Sequence, residues 1–224
     1  RCVVIGNGPS LNKCDLARLK DEFTFGVNAI YLNYEKMGFH PTYYVVEDRF
    51  VAQDRANEIK AYRGPRAKFF GKYLAPWLGG AVDAVWLDVD PSYHYANSGD
   101  FRFSTRADRI VYVGGTVTFL SLQLAYYMGF SEVYMIGFDH HYTVPKEDMV
   151  NSTDIHSSQD DPNHFHPSYF GKGKRWHHPR VDRMEQCYMK AKEVFEADAR
   201  KIYNATVGGH LEVFDRVDYD SLFR

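Results

Sequence analysis

Arg1-Cys2-Val3-Val4-Ile5-Gly6-Asn7-Gly8-Pro9-Ser10-Leu11 opens the chain, and its reading decides the fold. Val3 to Ile5 are an apolar run that reads as a buried strand, and the run breaks at once into Gly6-Asn7-Gly8-Pro9-Ser10. A short apolar strand ending in a glycine-rich turn is how open α/β sheets present backbone N–H groups to a phosphate or nucleotide. Two glycines allow a tight turn and close approach of a ligand. Pro9 suits a helix start through its fixed φ, and Ser10 through its capping hydroxyl. The stretch is not a dinucleotide fingerprint, because the third glycine is missing. It is not a P-loop either, because no Gly-Lys-Ser/Thr follows.

Further along, apolar runs and periodic segments alternate. Strands are expected over residues 23–28, 42–46, 67–70, 85–87, 109–113, 132–136, 201–204 and 211–214. A short helix or turn is expected over 11–19, and helices over 29–37, 50–62, 117–128 and 181–199. The 117–128 segment is apolar nearly all round, as in a helix buried inside a domain, and Gly129 stops it. Residues 181–199 are amphipathic, with Met184, Cys187, Tyr188, Ala191, Val194 and Phe195 on one face. Residues 71–109 read as loop-rich, with Gly79-Gly80, Pro91 and Asn97-Ser98-Gly99. Alternating strands and helices imply an α/β fold, a Rossmann-like, doubly wound and mainly parallel sheet. The expectation is one nucleotide-binding domain over 1–224, with a loop-rich lid over 140–180, where apolar periodicity lapses.

With 224 residues the chain can bury a substantial core without staples. Its net charge of −2 argues against nucleic-acid or membrane-surface binding driven by bulk charge. Aromatic residues make up 16%, and the 17 tyrosines among them suit a polar cleft as well as a core. Cys2, Cys14 and Cys187 form neither a CxxC nor an even framework, so free thiols in a reducing compartment, the cytoplasm, are the simplest reading. No apolar run approaches the roughly 20 residues of a membrane span. The chain opens on a strand residue without a Met, which reads as a domain of a longer polypeptide. Asn151-Ser152-Thr153 and Asn204-Ala205-Thr206 match the glycosylation sequon but have no secretory signal beside them.

In open α/β sheets the ligand sits beyond the C-terminal ends of the strands. Those ends carry Asn7, Asn28, Glu47-Asp48, Gly114-Gly115-Thr116 and Asp139, small polar groups and glycines with no Lys or Arg cluster. That set suits a nucleotide held by backbone and amide hydrogen bonds. Seven of the ten histidines fall between 140 and 178, and one of them could act as a general base. A zinc site competes with that reading, although no HExxH is present. Asp88-Val89-Asp90 after an apolar run resembles the metal-binding Asp-x-Asp of nucleotide-sugar transferases and is also an ordinary turn opening. Gly171-Lys172-Gly173-Lys174-Arg175 could clamp an anion.

The opening stretch, Val27-Asn28, Gly115-Thr116 with its buried helix, and Glu132-Val133-Tyr134-Met135-Ile136-Gly137-Phe138-Asp139 together resemble bacterial sialyltransferases that use CMP-sialic acid. They also resemble a broader group that includes motility-associated nonulosonate transferases and the archaeal-type 6-hydroxymethylpterin diphosphokinase. The run from His164 to Gly173 and the run from Asn204 to Gly209 look like the broader group. The resemblance implies transfer of a sialic-acid-like or Kdo-like sugar from a CMP-sugar to a carbohydrate hydroxyl, with inversion and with no required cofactor or metal. It places nucleotide binding on Asn7, Asn28, Gly114, Gly115 and Thr116, and the reading of the glycine turn and strand ends adds Gly6, Gly8, Pro9, Ser10 and Asp139. Tyr142 and Tyr169 would steady the departing phosphate, and His164, or second His178, would be the base. Glu47, Asp48, Lys172, Lys174 and Arg175 would face the sugar or the acceptor. The partners expected are a nucleotide sugar and a glycan acceptor, and a homo-oligomer is compatible with the reading. The sialyltransferases end their third strand in an asparagine, whereas this chain has Glu47-Asp48. That departure favours an alternative, an ATP- and Mg²⁺-dependent 6-hydroxymethylpterin diphosphokinase. A nucleotide-binding module without turnover is the third reading.

Overall fold

The computed structural model describes residues 1–90 and 100–224. Pro91 and Asn97-Ser98-Gly99, expected in loops, lie outside the described residues. In chain order the strands are β1 (Cys2–Ile5), β2 (Thr24–Val27), β3 (Tyr43–Val46), β4 (Ala67–Gly71), β5 (Ala84–Leu87), β6 (Val89–Asp90), β7 (Val111–Tyr112), β8 (Glu132–Ile136), β9 (Asp154–His156), β10 (Arg175–His177), β11 (Lys201–Asn204) and β12 (Asp215–Arg216). Eight of them form one sheet in the order β12-β11-β8-β1-β2-β3-β4-β5, and every neighbouring pair in it is parallel. The fold is the expected Rossmann-like α/β sheet.

Both faces of that sheet are covered. In β1, Cys2 and Val4 join one core, and Val3 and Ile5 join the other. This is why β1 reads as an unbroken apolar run rather than an alternating one. One face carries α5 (Val117–Tyr127) and α6 (Val181–Ala197). The other carries the short helices α1 (Tyr34–Met37), α2 (Arg49–Asp54), α3 (Ala56–Ala61) and α4 (Ala75–Leu78), with 3-10 turns at Pro9–Lys13 and Leu16–Leu19. Residues 117–126 of α5 are all buried, as an apolar circumference requires.

Several elements differ from the periodicity, each for a local reason. Residues 11–19 take the turn alternative, with 3-10 turns at Pro9–Lys13 and Leu16–Leu19. The helix expected over 50–62 is split at Arg55, whose backbone (φ −129, ψ 22) leaves the helical region. The strand expected over 109–113 is reduced to β7, which pairs with β6 apart from the main sheet. The buried Gln123 of α5 takes the place of a strand partner. Its Oε1 accepts from Tyr112 N (2.9 Å) and Ser104 N (3.0 Å), and its Nε2 donates to Tyr112 O (2.7 Å). The last strand forms at Asp215–Arg216, and residues 211–214 form a loop anchored by buried Leu211 and Phe214. Asn204 is fully buried and hydrogen-bonded to Leu211 O and Thr206 N, so its sequon is no surface site.

Residues 140–180 are not structureless. β9 and β10 pair antiparallel, and β10 packs on α2. Asp54 of α2 holds this contact. It accepts from Arg175 backbone N (3.0 Å) and from the Arg175 guanidinium, while Lys174 Nζ donates to Asp54 O (3.1 Å). Among the described residues no helix is long and apolar enough to cross a membrane, and all three cysteines are free and buried.

Candidate active site

The chain runs from β1 toward β2 on one side, while β8 flanks β1 on the other. The connections leaving these two strands diverge, and that switch point is where open α/β sheets bind ligands. The turn after β1 is locked onto the turn after β8. Gly6 N donates to Ile136 O (2.7 Å) and Gly8 N to Gly137 O (2.9 Å). A Cβ on Gly6 would lie 2.5 Å from Gly137 O, and one on Gly8 would lie 1.9 Å from Asp139 Oδ2. The two glycines therefore serve the contact between the turns as well as lining the cavity. Ser10 is no side-chain cap. Its Oγ donates to Asp139 Oδ2 (2.6 Å) and its N to Asp139 Oδ1 (3.1 Å), so a carboxylate from the turn after β8 takes the role.

A cavity of about 170 Å³ opens beyond these strand ends. Of the sequence-derived site residues, Gly6, Asn7, Gly8, Asn28, Glu47, Asp48, Gly115, Thr116, Asp139, Tyr142, His164, Tyr169 and His178 line it. Pro9, Ser10, Gly114, Lys172, Lys174 and Arg175 do not. Gly114 is packed away instead, and a Cβ there would meet Phe119 and Cys187 Sγ within 2.7 Å. Lys174 and Arg175 are bonded to Asp54 and fasten β10 to α2 instead of lining the cavity. Asp88 pairs with Lys72 at 2.7 Å and lies outside the cavity.

At the floor, Asn7 donates from Nδ2 to Tyr169 Oη (2.9 Å) and Val27 O (3.3 Å). Asn28 ends β2 in the left-handed region (φ 51), a conformation asparagine tolerates, and its carbonyl accepts from Tyr44 Oη. The Oδ1 atoms of Asn7 and Asn28 are buried without a hydrogen-bond partner. Buried acceptors in that state are uncommon, and here both belong to cavity-lining residues. On the neighbouring wall Gly115 (φ 74) turns the chain into α5, and Thr116 caps that helix by accepting from Thr118 N (3.3 Å). Phe119 N donates to Thr116 O (3.0 Å), so what the start of α5 offers an anion at that wall is the positive end of the helix dipole.

The lid contributes His164. Its Nδ1 lies 2.7 Å from Asp161 Oδ2, and its ring stacks on Tyr169 at 4.0 Å with an interplanar angle of 7°. Asp161 also accepts from the backbone N–H groups of Asn163 (2.7 Å) and Phe170 (2.8 Å). Burial pushes the Asp161 carboxyl up, but the hydrogen bond and charge of His164 together with those N–H groups hold it below the usual carboxylate range. With Nδ1–H given to the carboxylate, the lone pair of His164 is on Nε2. That is the arrangement of an oriented general base. His178 lines the same cavity, and its backbone N donates to Thr153 O (2.7 Å).

A family model described as 6-hydroxymethylpterin diphosphokinase MptE-like matches residues 1–145. The chain belongs to that family. Among solved structures, the MAf glycosyltransferase from Magnetospirillum magneticum AMB-1 aligns with 99% of this chain at a TM-score of 0.57 and 15% identity. At that identity the likeness is one of fold, and this chain spans about a third of that enzyme (34%). No curated protein matches the chain.

The cavity of this MptE-like chain has no Lys or Arg in its lining. Its ionisable groups are Glu47, Asp48, Asp139, Tyr142, Tyr169, Tyr188 and the imidazoles of His140, His141, His164, His177 and His178. Burial, reinforced by the adjacent Asp48 carboxylate, pushes the Glu47 carboxyl up to about 8. Burial pushes the Tyr142 hydroxyl up to about 12 and the His140 imidazole down, the latter against the pull of Glu185 at 3.1 Å. Asp48 caps α2 by accepting from Val51 N (2.9 Å).

Sequence reasoning missed Asp161 and Arg55. Asp161 precedes His164 by three residues, a spacing that could have been noticed. Arg55 sat inside an apparently regular amphipathic segment that gave no sign of the break.

Proposed function

We propose that the protein is a glycosyltransferase that moves a sugar of the sialic-acid or Kdo type from a CMP-sugar to a carbohydrate hydroxyl, with inversion at the anomeric carbon. The observation that carries this reading is the Asp161–His164 pair on a cavity at the switch point of the sheet. The acceptor hydroxyl gives its proton to His164 Nε2 as its oxygen attacks the anomeric carbon. The bond from that carbon to the phosphate oxygen breaks, and its electron pair leaves with CMP. Asp161 stabilises the imidazolium that forms, as carboxylates behind catalytic imidazoles do. The start of α5 and the Tyr142 hydroxyl face the charge that grows on the departing phosphate. Tyr169, whose buried hydroxyl accepts from Asn7, keeps its own O–H to donate to that phosphate. Asn7 and Asn28 offer their unpaired Oδ1 atoms to donor groups of the nucleotide. The shared fold with a glycosyltransferase supports the reaction class.

A second reading, an ATP- and Mg²⁺-dependent pterin diphosphokinase, is favoured by the family match and by Glu47-Asp48. Among the described residues no three metal-ligating side chains converge. The Glu47-Asp48 pair still fits a Mg²⁺ ion that draws most of its shell from phosphate oxygens and water. Those two carboxylates would hold the ion, which would supply positive charge to the phosphates. Melting temperature separates the two readings. CMP should raise it equally with and without EDTA, and a preference for ATP with Mg²⁺ over CMP would overturn the glycosyltransferase assignment. If CMP binds and alanine at both His164 and His178 leaves transfer intact, the base assignment fails.

A further inference from the structure

We infer that Arg55, outside the cavity, is a positioning residue that sets the orientation of the His164 imidazole by gripping the lid at Tyr169; the inference rests on the reading of His164 as the base.

Arg55 occupies the break between α2 and α3 and is only 5% exposed. One of its terminal nitrogens, Nη2, donates to two consecutive lid carbonyls, Ser168 O and Tyr169 O, the latter at 2.7 Å. The other, Nη1, is held by Glu58, which also accepts from Tyr31 Oη (2.8 Å). A planar guanidinium can bond several acceptors in a fixed geometry, which a lysine ammonium cannot reproduce. The two carbonyls it fixes flank the α-carbon of Tyr169. The Tyr169 ring is in turn the plate on which His164 lies, and its hydroxyl is fixed from the far side by Asn7. His164 therefore has two constraints. Asp161 selects which ring nitrogen carries the proton, and the Tyr169 ring, held by Arg55 at its backbone and Asn7 at its hydroxyl, sets the plane of the imidazole. The helix break at Arg55 lets an arginine rooted on the body of the fold reach the lid.

A buried arginine could also serve stability alone, so the test reads His164 directly. Long-range ¹H–¹⁵N NMR of the imidazole reports its tautomer and titration. In the full chain, His164 should hold a single tautomer with the proton on Nδ1. In Arg55→Gln the imidazole should show a mixed tautomer population and a displaced titration midpoint, while Arg55→Lys should restore the wild-type pattern only in part. Transfer should fall on the order of ten- to a hundredfold in kcat for Arg55→Gln, with KM within about twofold, the size expected of a misplaced catalytic group. Should Arg55→Gln fail to fold, Glu58→Gln, at a partner 43% exposed, should displace the same His164 signals to a smaller degree. Unchanged His164 signals in a folded Arg55 or Glu58 variant overturn the inference. Altered signals in a protein that transfers no sugar uphold the coupling and reject the glycosyltransferase reading, so the two failures are told apart.

Discussion

The imidazole of His164 lies flat on the phenol ring of Tyr169, 4.0 Å between centroids and 7° from parallel. The loop of residues 161–170 thus presents His164 on an aromatic plate whose hydroxyl is bonded to the turn after β1. On the proposed reading of His164 as the base, movement of that loop would separate the base from the cavity floor.

Asp161→Asn keeps the shape of the pair and removes its charge. Transfer should fall by about 10²- to 10⁴-fold in kcat, the range for loss of an oriented general base. The same variant changes the acid limb of stability. The Asp161 carboxyl lies below its unfolded value of about 3.9, so it stabilises the fold above that pH, and the contribution is lost as pH falls through the folded value. Urea denaturation across pH 2 to 6 should show wild type losing its advantage over Asp161→Asn toward the acid end.

Glu47 behaves in the opposite sense. Its folded carboxyl is raised to about 8 from an unfolded value of about 4.3. The native state binds the extra proton, so this group's contribution is greatest below pH 4 and declines as pH rises to 8. Glu47→Gln should melt higher than wild type at pH 8, and the difference should vanish near pH 4.

Gly6→Ala and Gly8→Ala should act on stability before any effect on ligand. Either Cβ would drive apart the turns after β1 and β8, and overpacking of this kind costs about 1–3 kcal/mol. Urea midpoints should drop for both. If Gly6→Ala left stability unchanged and weakened only CMP binding, ligand approach rather than the contact between turns would account for the glycine.

The basic run offers a three-way comparison. Asp54→Ala removes the acceptor of Arg175 and should destabilise by about 1–3 kcal/mol, as loss of hydrogen bonds to a charged group does. It should also speed proteolysis within 170–175. Lys174→Ala should show a weaker form of the same effect. Lys172→Ala, at an exposed side chain, should change neither stability nor CMP affinity.

The strand runs, the glycine turns after β1 and before α5, and the all-apolar α5 were legible in the sequence. A sheet buried on both faces demands unbroken apolar segments, and parallel strands return every ligand-facing turn to the same edge. Local order therefore dictated that Asn7, Asn28, Glu47-Asp48 and Asp139 would meet at that edge, while Gly115-Thr116, after a strand outside the main sheet, joins them through the packing of α5. Tertiary structure alone decided what each of them does. Asp139 holds Ser10 across 129 residues, Gly8 is small because Asp139 fills the space beside it, and Lys174 and Arg175 turn toward α2 because Asp54 is there. Arg55 left its helix for the lid, and Tyr169 was carried beneath His164. These are contacts between segments far apart in the chain. They depend on distance and orientation after folding, whereas periodicity and turn chemistry record only what a residue's near neighbours allow.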